Sequence, residues 1–171
     1  MSNQFTARRP ASWRIYTPIP VVAFLIFTAS LPFNMPYFAV AVPHFLAISV
    51  YFWATFRPRC LPPAAIFLLG LILDGVTGAT PGASSFVMLM LYALAYSQRR
   101  VFLGRSFTIG WLGFGVMSLI AAFLAWVTAS LLYGLILGPA PIFHQWMMTV
   151  ISYPALAWLF GLLLRSMPAE E

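Results

Sequence analysis

The sequence predicts an all-α polytopic membrane protein with six transmembrane helices, and three observations carry that expectation. The 171 residues are 62% hydrophobic and only 7% charged, against roughly a quarter charged in an average soluble domain. The apolar residues fall into six blocks separated by Pro, Gly or Arg clusters. The nine basic residues, all arginines, sit at every second boundary between those blocks. A soluble core of this length would need a charged surface that the chain does not carry.

The blocks cover residues 18–31, 36–56, 61–76, 83–97, 107–133 and 142–164. The first, third and fourth are short for a helix that needs roughly twenty residues to cross a hydrocarbon core, so they lean on interfacial residues or thin the bilayer locally. Arg8, Arg9 and Arg14 precede block one, Arg57 and Arg59 follow block two, Arg99, Arg100 and Arg105 follow block four, and Arg165 follows block six. Six spans place all of them on one side, which the positive-inside rule makes cytoplasmic. Both termini are then cytoplasmic. The chain divides into a tail over 1–17, a six-helix domain over 18–164 and a tail over 165–171. The arginines ahead of an apolar run also resemble a signal sequence, but an uncleaved first span fits the charge pattern equally well.

The remaining turns, 32–36, 77–82 and 134–141, are rich in Pro and Gly and leave little room for an outer domain. Trp13, Trp53, Trp111 and Trp146 lie near expected interfaces and read as membrane anchors. Ala121, Ala125 and Ala129 recur every four residues, with Ser118 and Ala122 on an adjoining stripe, which suits close approach of another helix. Gly134 and Gly138 form a weaker small-residue pair near a turn. Pro43 and Pro154 are expected to bend or loosen spans two and six.

Asp74 is the only acid before the terminal Glu170 and Glu171, and it ends a strongly apolar run. A carboxylate there must neutralise, find a partner or reach water. Gly70, Asp74 and Gly78 lie at i, i+4 and i+8, which puts backbone rather than bulk beside the acid on one helix face. Gly75 and Gly78 favour helix termination. Helical rise places Asp74 roughly 20 Å from the cytoplasmic edge and His44 roughly 12 Å from the outer edge, at comparable depth. His44 is thus a possible intramembrane polar partner of Asp74; the bland alternative has it bonding a carbonyl released by Pro43.

Several function classes are disfavoured. No paired carboxylates, phosphate-binding loop or Cys/His cluster is present, and Ser84 and Ser85 lack a local base. The expectation is a protein that is not an enzyme and has no cofactor or metal. The lone Cys60 cannot form an internal disulfide, and the positive charge belongs to topology rather than to nucleic-acid binding.

The run from Gly70 and Leu71 through Asp74, Gly75, Gly78, Pro81 and Gly82, followed by an apolar span ending in Gln98, Arg99 and Arg100, resembles the signature region of the MreD family of bacterial rod shape-determining membrane proteins. Gly70, Leu71, Asp74, Gly78 and Gly82 match the family pattern; Pro81 is one position late and Gly75 replaces a usual aliphatic residue. The resemblance implies a non-enzymatic inner-membrane component of the elongation machinery for side-wall peptidoglycan. It implies MreC as direct partner, with MreB, RodA and a class B penicillin-binding protein beyond it. It also implies an arrangement like the substrate-binding subunits of energy-coupling-factor transporters. A vitamin-binding subunit of such a transporter is the alternative function. Two features count against it: Ala23 is followed four residues later by Phe27 rather than by a small residue, and the outer loops offer few polar groups to orient a vitamin.

Overall fold

A computed structural model describes residues 18–30, 43–102, 104, 106–136 and 138–166. The 1–17 tail with its three arginines and Trp13, the turn 32–36, Arg105, and Glu170 with Glu171 lie outside the described residues. Among the described residues the structure is all-helical, with α1 Pro18–Ser30, α2 Phe45–Phe56, α3 Pro63–Thr77, α4 Ala83–Phe102, α5 Phe107–Tyr133 and α6 Ala140–Ser166. A single 3₁₀ turn, Pro58–Cys60, joins α2 to α3.

Local chemistry sets the boundaries. α3 starts on Pro63, whose fixed φ and missing N–H suit the first helical position. It ends at Gly78, which takes the left-handed conformation at φ 69°. α4 runs on from Ser97 through Gln98, Arg99 and Arg100 to Phe102, beyond the expected end. Pro154 is accommodated inside α6. Pro43 lies just before α2, with His44 as the N-cap residue, and residues 36–42 of the expected span two lie outside the described residues. A proline disfavours helical backbone at the residue before it, so a helix starts more readily after Pro43 than through it.

α2 and α4 occupy the centre. α4 packs against α2, α3 and α5, while α6 packs on α5 and α2, and α1 on α2 and α3. Every residue of α2 from Leu46 to Thr55 is buried, as expected of a helix apolar on all sides. Trp53 is fully buried against Phe52 and Phe160, with ring centroids 5.4 and 5.8 Å away. It is a core residue, not a membrane anchor, and its indole N–H has no partner among the described residues. Trp111 and Trp146 join α5 to α6 instead. The Trp111 indole donates to the Val150 carbonyl at 2.9 Å, and that of Trp146 to the Gly115 carbonyl and Ser118 hydroxyl, both at 3.2 Å. An indole N–H inside an apolar assembly needs an acceptor, and the neighbouring helix supplies one.

The outward faces stay apolar. Phe24, Leu68, Ile72, Leu112, Phe123 and Trp158 are each more than half exposed. Phe107–Tyr133 and Ala140–Arg165 are long and apolar enough to cross a membrane, and three shorter apolar helices accompany them. Arg57 and Arg59 lie between α2 and α3, Arg99 and Arg100 in the last turn of α4, and Arg165 in the last turn of α6. Because successive helices reverse direction, these described arginines gather at one end. The end of α3 and the starts of α4 and α6 form the other.

Candidate functional site

Asp74 is fully buried in the last turn of α3. Its Oδ2 accepts a hydrogen bond from the Gly82 N–H at 2.8 Å, and its Oδ1 accepts one from the Ser84 N–H at 3.2 Å. Gly82 immediately precedes α4 and Ser84 is its second residue, so the carboxylate caps α4 from outside that helix. The amides it bonds are among the donors that a helix start leaves unpaired, and a carboxylate is favoured at the positive end of the helix dipole. The Asp74 main-chain carbonyl meanwhile accepts from Gly78 and, at 3.0 Å, from Ala79. One residue therefore closes α3 and opens α4.

The three matching glycines around it serve separate geometric needs. A β-carbon on Gly70 would lie 2.6 Å from the Ser85 Cα, so α3 and α4 meet there backbone to backbone. The Ser85 hydroxyl donates to the Phe67 carbonyl at 2.9 Å across the same contact. Gly78 at φ 69° and Gly82 at φ 93° occupy backbone conformations that L side chains rarely adopt. Gly75 shows neither constraint: its conformation is ordinary and nothing lies within 4 Å of a β-carbon built on it.

His44 does not join this cap. No hydrogen bond or ion pair links it to Asp74 among the described residues, and its backbone N–H donates to the Thr149 hydroxyl at 2.9 Å. Its carbonyl accepts from Ala47 and Ile48 as the first turn of α2 forms. His144 stands apart, exposed, with its Nδ1 2.7 Å from the Ala140 carbonyl oxygen. No group of three or more His, Cys, Asp or Glu converges as a metal site among the described residues.

The His44 side chain lines a cavity of about 240 Å³ at the end of the molecule that holds the Asp74 cap. α2 contributes His44 and Ala47, the α3–α4 corner contributes Ala79, Ala83 and Ser84, and α6 contributes Gln145, Trp146 and Thr149. The alanine stripe of α5 forms the facing wall. Ala121, Ala122, Ala125 and Ala129 thus border a space as well as a helix. Small side chains permit close approach only where the opposite element follows; here they leave room.

Reading the loops alone missed this site, because its polar groups come from helices. The available signal was the polar pair Gln145 and Thr149, four residues apart on one face of a helix otherwise rich in apolar residues. The four-residue interval from the Gly78 turn to Gly82, with Ser84 two residues on, likewise marked where an α4 cap could lie.

No curated protein and no solved structure matches the chain. A family model described as rod shape-determining protein MreD matches residues 8–166, and the chain belongs to that family.

Proposed function

We propose that the protein is a non-enzymatic, multi-pass component of the bacterial inner membrane, with both termini cytoplasmic, that binds MreC and thereby supports side-wall peptidoglycan synthesis and rod shape. MreB, RodA and a class B penicillin-binding protein are reached through that partner. The observation that carries the reading is the family match, which runs from residue 8 to residue 166 and leaves only short ends outside it.

Three physical features support it. Two helices have the length and hydropathy to cross a bilayer, the exposed faces of the shorter helices are apolar as well, and the described arginines collect at one end as cytoplasmic loops do. The reading includes six spans over 18–164, flanked by tails over 1–17 and 165–171, and the likeness to transporter substrate-binding subunits that the family resemblance implies. Gly70, Asp74, Gly78 and Gly82 act in this reading as the frame that holds the α3–α4 corner in the shape a partner helix meets. The family match favours this function over a vitamin-binding transporter subunit.

Co-purification from membranes in mild detergent tests the proposal. MreC should be recovered with the protein, and loss of the gene should round the cells. Absence of MreC together with unchanged cell shape overturns it, and recovery of ATPases with a bound vitamin would establish the transporter alternative.

A further inference from the structure

The cavity beside the Asp74 cap has a chemistry of its own. None of its lining residues is Asp, Glu, Lys or Arg. The His44 imidazole lines it and is hydrogen-bonded to its own backbone, whereas the Ser84 and Thr128 hydroxyls and the Gln145 amide line it without a hydrogen bond to another side chain or carbonyl among the described residues. All four are half-buried. Partly buried polar side chains ordinarily find partners, and the nearby Ser85, Ser118 and Thr149 do so. The unpaired three come from α4, α5 and α6, and His44 adds a polar group from the start of α2. They face one space across alanine walls. The Asp74 cap fixes one of them, because the Ser84 N–H is held by the carboxylate while its hydroxyl remains available.

Size narrows the occupant further. About 240 Å³ lies below the roughly 300 to 1,000 Å³ of sites that enclose drug-sized ligands. A dinucleotide or a large cofactor would not be enclosed by it. An ionised group enclosed here would meet no permanently charged side chain, and desolvating it would cost several kcal/mol or more. A neutral ring carrying several hydroxyl or amide groups meets both the size and the uncharged donor and acceptor set. Alanine methyls and the Trp146 indole, fixed by its bonds to Gly115 and Ser118, cover its apolar faces.

We propose that this cavity is a binding site for an uncharged, hydroxyl- or amide-bearing group of about one sugar ring, either a free molecule or the headgroup of a neutral glycolipid. The site is independent of MreC binding and does not rest on it.

The test uses the full chain in a polyoxyethylene detergent, which carries no sugar, with binding followed by native mass spectrometry and tryptophan fluorescence. The probes are methyl β-D-glucopyranoside, a monoglucosyl diacylglycerol and, as the charged control, glucose 6-phosphate. Saturable binding of the free glucoside supports a soluble ligand, and saturable binding of the glycolipid alone supports a headgroup. In either case Gln145→Leu and Ala125→Phe should weaken binding at least tenfold, while Phe123→Ala, on the outward face of α5, should leave it unchanged. If Ala125→Phe is not monodisperse, Gln145→Leu decides. The proposal is overturned if neither neutral probe binds saturably, if binding survives Gln145→Leu undiminished, or if glucose 6-phosphate binds as well as the neutral glucoside. Recovery of MreC with Gln145→Leu should match the parent protein, so a failure here is distinct from a failure of the partner reading.

Discussion

The α3–α4 corner and the cavity beside it are built from similar residue types and treat polar groups in opposite ways. At the corner, both Asp74 oxygens accept hydrogen bonds, the preceding Gly70 is pressed against the Ser85 backbone, and both turn glycines occupy conformations suited to them. In the cavity, the Ser84, Thr128 and Gln145 side chains are left without partners among the described residues, between alanine walls. Ser84 belongs to both regions, with its amide in the cap and its hydroxyl in the cavity. A buried polar group whose bonds are complete holds a structure together; one whose bonds are open is available to something else.

Three substitutions sharpen that contrast. The largest effect is expected from Asp74→Ala, which leaves the Gly82 and Ser84 amides without their acceptor. Loss of a helix cap costs about 1 to 2 kcal/mol and each buried unpaired donor about 1 to 3, so a loss of about 3 kcal/mol is expected in detergent unfolding. An unchanged unfolding midpoint would show that the carboxylate does not hold the corner. Gly70→Ala comes next. Its methyl group would meet the Ser85 Cα and backbone N as well as the Ser85 Oγ, all within 2.8 Å, and overpacking of this kind costs about 1 to 3 kcal/mol. Disulfide trapping between α3 and α4 should report the separation, and unaltered cross-linking with unaltered stability would contradict the close contact. The smallest effect belongs to Gly75→Ala, which should be neutral or stabilising by up to about 1 kcal/mol from helix propensity alone. Destabilisation there, read in the same unfolding experiment, would show that Gly75 shares the constraint of its neighbours.

The sequence marked the corner well and its mechanism poorly. Asp74 stood out because an acid in an apolar run is costly, Gly70 and Gly78 stood out by spacing, and Gly82 by the family resemblance. The partner suggested by side-chain type and depth was His44, yet the groups that bond the carboxylate are main-chain amides eight and ten residues further on. Every residue except proline carries such a donor, so residue identity gives no hint of which amides are free. That depends on where the next helix begins. Trp53 shows the same limit from another side: proximity to a span end suggested an interface, whereas the all-buried surface of α2 places it in the core.

By itself the sequence determined the all-helical class, the helix order, the segregation of arginines and the residues of the glycine-framed corner, because these follow from local hydropathy, backbone freedom and charge. Only the tertiary structure decided that Asp74 caps α4, that Trp111 and Trp146 join α5 to α6, and that the alanine stripe borders a cavity. Each of those depends on what stands opposite a residue, and a pattern along one chain specifies which groups face outward from a helix without specifying whether another helix, a backbone amide or an open space meets them.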